Sequence, residues 1–400
     1  MREPRREDGY LPIRDYAAIG HGRTVALVGL DGSIDGLCLP NFDSPAVFAR
    51  LLDAERGGSF QLAPREPFEA ERGYEEGSNV LETAFRTSSG AVRVTDAMTL
   101  APGEALVPQR ELARRVECLS GSVRLAWTLE PRFHFGERPT RIERRGSQLV
   151  AVSRGEALVL GAWEIGEPEV HEGQVGGECE LRAGDTALLS ITAAHHEPAF
   201  LAGRADTEHR LGHTQRFWPR WVERALHGGP WREAVLRSAL VLKLLVFALS
   251  GAVVASPTTS LPEWIAGERN WDYRFTWLRD ATYTLDALQT LGYEDEAHAF
   301  LWWLMHASRL SAPRLQVLYR VDGGAEAKEK RLPALDGYRR SRPVRVGNLA
   351  SEQVQLDLYG DVMHAIWLHA TEHGDLGGDG LGRARSRAEA RRRGVRPEPR

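Results

Sequence analysis

The chain has 400 residues, of which 42% are hydrophobic and 26% charged, with 40 Gly and 21 Pro. That length and composition suit two or three globular domains and exclude collagen-like, coiled-coil and wholly disordered chains. With 51 Lys+Arg against 55 Asp+Glu the net charge is −4, so no global basic field exists to hold nucleic acid.

The N-terminus, Met1-Arg-Glu-Pro-Arg-Arg-Glu-Asp, is charged with no apolar stretch behind it, unlike a signal peptide. Thr24–Leu30 and Ser33–Leu39 flank Asp31-Gly32, a strong hairpin signal. Gly20-His-Gly22 lacks the third glycine of a dinucleotide loop and reads as a turn. Short apolar or alternating runs follow at Val80–Arg86, Ala91–Ala97, Glu111–Leu119, Val123–Glu130, Gln148–Val152, Ala157–Ala162 and Thr186–Ala193. Many short strands without intervening helices predict a large antiparallel β-sandwich over residues 1–205. Cys38, Cys118 and Cys179 are too scattered for a disulfide framework or zinc knuckle, and they read as reduced thiols of a cytoplasmic protein. His195-His196 has no third ligand at metal spacing, so no metal is expected.

The apolar period changes near residue 205. Phe217, Trp218 and Trp221 lie at helical spacing within Asp206–Leu226, and Val235, Leu236, Leu240, Leu244 and Phe247 predict a helix over Trp231–Val254. The apolar run Leu244–Ala255 falls short of the ~20 residues a membrane span needs. Leu278, Ala281, Leu285 and Leu288 form a further stripe ending at Gly292, and Glu294–Arg309 and Ser351–Ala370 complete the helices. Glu352 is expected to open the last of these, where its charge suits the helix dipole. From Thr371 to Arg400 there are eight Arg, six Gly and five acids, without apolar periodicity, and this tail is expected to be disordered.

The densest chemistry lies between Ser256 and Asp280. Trp271, Tyr273, Phe275 and Trp277 alternate with Asp272, Arg274 and Thr276, as in an extended strip, and Arg279 and Asp280 then open a helix. Aromatic faces beside an Arg–Asp pair suit a pyranose ring: its C–H face packs on the rings while the carboxylate and guanidinium hold adjacent hydroxyls. The same pattern also suits a core-lining aromatic cluster with a surface ion pair, and spacing alone does not choose between them.

This segment resembles the sugar-binding motif of glycoside hydrolase family 15, in its bacterial glucoamylase and trehalase-like branch. Three other stretches are similar to that family in the same order. They are Tyr10–Gly20 through Asp31–Asp35 and Leu39–Pro45; Leu315-Gln-Val-Leu-Tyr-Arg-Val-Asp-Gly323; and Leu335–Asn348 followed by Gln353–Gly360. The resemblance implies a β-sandwich (1–205), linker helices (206–256), the first helices of an incomplete (α/α)6 barrel (257–370) and the tail (371–400). It implies substrate binding by Arg279, Asp280, Trp277, Trp271, Tyr273, Gln355 and Asp357, and inverting hydrolysis of a terminal α-glucosidic bond in maltodextrin, maltose or trehalose. No cofactor, nucleic acid or membrane partner enters that chemistry.

Two departures concern the β domain: Gly36 stands where relatives usually carry Trp, and His21 where they often carry an acid. A third concerns catalysis. Inversion needs a general-acid and a general-base Glu, yet no Gly-Ile-Trp-Glu-like motif follows Gly360, and Glu263, Glu268 and Glu352 sit in neither catalytic motif. The expectation is a C-terminally truncated, inactive member with no catalytic residue. Leu285, Leu288, Phe300, Trp303 and Trp367 are then expected to lack packing partners. The rival expectations are a non-catalytic carbohydrate-binding or interaction fragment and, weakest, a nucleic-acid binder acting through the Arg-rich tail.

Overall fold

A computed structural model describes residues 1–101, 110–146, 148–311 and 314–373. The expected tail lies outside these residues from 374 onward, while positions 371–373 still belong to a helix. The chain divides into two compact units. The first comprises Met1–Pro219, Thr258–Asp272 and Lys330–Val346; the second comprises Arg220–Pro257, Tyr273–Glu329 and the chain from Gly347 on. The expected domains are consecutive along the sequence, whereas these units are interleaved.

The first unit is built on antiparallel strands: β1 (Tyr16–Gly20), β2 (Val25–Gly29), β3 (Ser33–Cys38), β4 (Ala46–Phe48), β5 (Ser59–Pro64), β6 (Glu69–Tyr74), β7 (Leu81–Arg86), β8 (Gly90–Met98), β9 (Glu111–Glu130), β10 (Arg141–Arg145), β11 (Gln148–Ser153), β12 (Glu156–Trp163), β13 (Glu169–His171), β14 (Gln174–Arg182) and β15 (Thr186–His195). Among the described residues these form one 15-stranded sheet with the central path β1-β2-β3-β5-β9-β15-β12-β11-β10. The Asp31-Gly32 turn joins β2 to β3 as expected. Gly32 adopts φ +81°, and a Cβ there would lie 2.1 Å from the Leu62 carbonyl oxygen, so only glycine fits.

The 20-residue strand β9 organises the sheet. The expected strands Glu111–Leu119 and Val123–Glu130 are its two halves, continuous through Gly121 at φ +68°. The first half pairs with β8 and β15, the second with β5 and β14. Buried side chains from both halves, among them Leu112, Val116, Leu125 and Trp127, join one core cluster with Phe60, Phe85, Leu158 and Leu189. Within that core Arg114 is fully buried. It donates to Asp96 on β8 at 2.8 Å and to the carbonyls of Phe60 and Gly32 at 2.8 Å each. Its charge and donors are thereby satisfied, as burial requires.

Helix α1 (Arg204–Val222) is fixed to β9 through Glu111, whose carboxylate accepts from Arg210, Thr207 and Thr99 at 2.6–2.9 Å. The late segments 258–272 and 330–346 complete this unit: Leu332, Leu335 and Val344 pack with Cys38, Ala46, Leu52 and Phe135. Tyr338 donates its hydroxyl to the Leu11 carbonyl at 3.0 Å. Cys38, Cys118 and Cys179 are all free.

The second unit holds α2 (Arg232–Leu245), β16 (Thr276–Trp277), α3 (Leu278–Thr290), α4 (Glu294–Ser311), β17 (Leu318–Tyr319) and α5 (Asp357–His373). Helix α3 packs against both α4 and α5. Three expectations need correction here. The helix foreseen to Val254 ends at Leu245; Val246 turns extended and bridges to Val253 across a tight turn at Gly251, φ +83°. A Cβ on Gly251 would lie 2.4 Å from the Ala299 backbone, so the turn is fixed by close approach to α4. Glu352 closes the short 3₁₀ turn Leu349–Glu352 and does not open a long helix, which starts at Asp357. Finally, Leu285, Leu288, Phe300 and Trp303 are all buried within this unit; of the five expected to lack partners, only Trp367 is exposed. Among the described residues no helix is long and apolar enough to cross a membrane.

Candidate functional site

The strip from Trp271 to Trp277 has a reversed pattern of burial. Asp272, Arg274 and Thr276 are buried, Trp271 and Trp277 are half-buried, and Tyr273 is exposed. Phe275 is the exception, buried at 2% exposure. Burying polar residues costs free energy unless they are satisfied, so this arrangement is a costly one that turns Tyr273 outward and leaves Trp271 and Trp277 half-buried. Only Thr276–Trp277 is a regular strand, pairing with Leu318–Tyr319 of β17; the remainder is irregular, not the continuous extended strip expected.

In the second unit Tyr273 and Trp277 form a tilted ring pair, centroids 6.1 Å apart. Trp277 occupies the N-cap position of α3 without a side-chain capping bond, and Arg279 and Asp280 stand in the first turn. Their side chains are about half exposed, 48% and 47%, with Nη2 of Arg279 3.5 Å from Oδ2 of Asp280. The backbone beneath is secured by Thr282, donating to the Arg279 carbonyl at 2.7 Å, and Thr284, donating to the Asp280 carbonyl at 3.2 Å. The apolar residues Leu278, Ala281, Leu285 and Leu288 are buried, which turns the Arg279–Asp280 side of α3 outward.

Gln355 and Asp357 lie at the start of α5. Gln355 donates to Gln353 Oε1 at 3.0 Å, and exposed Asp357 is the first helical residue. Among the described residues no hydrogen bond or ion pair joins either to Arg279 or Asp280. Trp271 belongs to the first unit. There the Arg345 guanidinium lies 4.6 Å from its ring centroid, a cation–π contact.

Two residues of interest were not singled out by sequence. Tyr283 is 70% exposed, four and three positions after Arg279 and Asp280 and hence on their side of α3. Helical spacing from the Arg–Asp pair was the signal for it. Arg345 lies within the Leu335–Asn348 stretch of the family resemblance, but its contact with Trp271 had no local signal, because the two are far apart along the chain.

The family model for glycosyl hydrolases family 15 matches residues 229–386, and the model for the trehalase-like N-terminal domain matches residues 7–191. The chain belongs to glycosyl hydrolases family 15. It is similar to a trehalase of Thermoplasma volcanium, 35% identical over 364 residues that make up 90% of this chain and 57% of that protein. A trehalase of Mycolicibacterium smegmatis is 34% identical over 402 residues, 92% of this chain and 58% of that protein. Trehalase 1 of Sulfolobus acidocaldarius is 33% identical, covering 89% and 60% respectively. The chain thus spans less than two thirds of the length of these relatives. The family match starts at residue 229 and includes α2 through α5, and with them Arg279 and Asp280.

Proposed function

We propose that this chain carries the glucose-holding part of a cytoplasmic, trehalase-type glycoside hydrolase, an inverting enzyme acting on a terminal α-glucosidic bond. The observation that carries the reading is the half-exposed Arg279–Asp280 pair at the start of α3, beside the Tyr273–Trp277 rings. Asp280 accepts from, and Arg279 donates to, neighbouring hydroxyls of the terminal glucose, while Trp277 and Tyr273 cover its C–H face. Gln355 and Asp357 are further sugar contacts in this reading, and Trp271, in the first unit, is read on its own as an aromatic face for sugar. The helices α2 to α5 are read as the opening part of an (α/α)6 barrel. The names of the relatives favour trehalose over maltose or maltodextrin.

Inversion proceeds by water attack on the anomeric carbon, with two carboxyl groups about 6.5–9.5 Å apart as acid and base. No Gly-Ile-Trp-Glu-like segment follows Gly360 in the sequence, and exposed Glu263 is paired with Arg269 at 3.5 Å. In this reading the 400 residues hold the sugar and neither the acid nor the base role is assigned among them; each such proton-transfer group contributes about 10²–10⁴-fold to turnover. A second reading is a carbohydrate-binding module without catalysis, which the half-exposed Arg279–Asp280 pair would equally serve.

Calorimetry of the 400-residue chain with trehalose and with maltose tests the proposal. Trehalose should bind, and Asp280→Asn should weaken it by at least tenfold. Binding of neither sugar, or unchanged affinity in Asp280→Asn, overturns the site. Polarimetric release of β-glucose by this chain would exclude the second reading.

A further inference from the structure

We infer that Arg345 is a positioning residue, holding the indole of Trp271 with one face covered by its guanidinium and the other left for a pyranose ring. The inference rests on the sugar-binding reading of Trp271 given above. Arg345 is 6% exposed, and its Nη1 donates to the carbonyls of Glu268 at 2.9 Å and Asn270 at 3.3 Å. These carbonyls belong to the turn leading directly into Trp271, so one guanidinium fixes both the indole and the backbone that presents it.

Arg345 is itself anchored. Its backbone N–H donates to Ser260 Oγ at 2.7 Å, and its carbonyl accepts from Thr259 Oγ1 at 2.7 Å and Ser260 Oγ at 2.9 Å. It also pairs with Arg331 in the two-stranded ribbon of β18 (Lys330–Arg331) and β19 (Arg345–Val346). Asn270, fully buried, donates to the carbonyls of Gly267 and Ser341 at 3.0 Å each. A half-buried Trp on an irregular segment would otherwise sample several rotamers, and each immobilised side chain weakens ligand binding by the entropy of fixing it. A planar guanidinium stacks on an indole and donates in the ring plane at once; an ammonium supplies the charge without that geometry.

The test uses the full chain labelled with 5-fluorotryptophan, followed by ¹⁹F NMR and calorimetry with trehalose. The Trp271 resonance is assigned by its loss in Trp271→Phe. In the wild type that resonance should be narrow and should move on adding trehalose. Arg345→Lys should broaden or shift it before any sugar is added and weaken trehalose binding by about tenfold, while the Trp277 resonance keeps its sugar-free position. Trp271→Phe, a conservative change, should weaken binding without unfolding the chain. Should trehalose move the Trp277 signal and leave that of Trp271 still, the inference fails and the Arg279–Asp280 site stands. Full affinity and an unmoved Trp271 signal in Arg345→Lys overturn it as well. If trehalose moves no resonance and releases no heat, the sugar-binding reading falls and this inference falls with it.

Discussion

The indole N–H of Trp221 donates to Glu296 Oε1 at 2.7 Å, and the Lys243 ammonium reaches the same oxygen at 2.9 Å. This ties the end of α1 and the last turn of α2 to the first turn of α4. Burial alone would push the Glu296 carboxyl up; Lys243 and Trp221 more than offset it, and the carboxyl is held below the usual range. Stability from this group is therefore full above the unfolded value near pH 4.3 and is lost as pH falls through the lower folded value. Lys243→Met should leave the buried carboxylate underpaired and destabilise the second unit by about 2–3 kcal/mol, read by urea unfolding at pH 7. Below pH 4 the wild type and Glu296→Gln should converge.

Tyr293 stacks on Trp221, ring centroids 3.9 Å apart and nearly parallel, with its hydroxyl buried and making no hydrogen bond. Burial, aided by the Glu296 charge, pushes the phenol up to about 12. In ultraviolet difference titration, Tyr293→Phe should remove one of the tyrosines that ionise above the usual range, a set to which burial also assigns Tyr10, Tyr16 and Tyr338. Because the hydroxyl has no partner to lose, Tyr293→Phe should be neutral or stabilising by up to about 1 kcal/mol. A loss of more than that in thermal unfolding would contradict the unpaired hydroxyl.

His21 is buried between β1 and β2. Burial, together with Arg23 and Arg110, lowers it to about 3. The folded ring stays neutral where the unfolded ring is protonated. Stability of the first unit should be full above about pH 6.5 and fall on acidification toward pH 3, by up to about 1.4 kcal/mol per unit. In His21→Phe that slope should vanish between pH 6 and 4, as measured by the pH dependence of Tm.

Arg114→Met strands Asp96 in the β core and leaves the Phe60 and Gly32 carbonyls without that donor. It should cost about 3–5 kcal/mol. Replacing both charges, Arg114→Met with Asp96→Val, should recover part of that, which a double-mutant cycle would measure.

The turn at Asp31-Gly32 and the stripe on α3 were legible because each depends on neighbours in sequence. Strands β6 (Glu-Ala-Glu-Arg-Gly-Tyr) and β14 (Gln-Val-Gly-Gly-Glu-Cys-Glu-Leu-Arg) were missed, since exposed outer faces left them few apolar residues to mark a period. The run beyond Leu245 was read as helix from hydrophobicity alone; what ends the helix is the approach of Gly251 to α4, a tertiary fact. At the site, Arg279 and Asp280 share a helix turn and could be anticipated from spacing. The placement of Trp271 under Arg345 could not, because a contact so distant in sequence leaves no local trace.

The interleaving of the units bears on how the molecule is made. Because segment 330–346 supplies Leu332, Leu335 and Val344 to the β body, a ribosome must release the chain through Val346 before that body can close. Until then its docking surface around Ala46, Leu52 and Phe135 waits uncovered, and chaperone capture during synthesis should concentrate there.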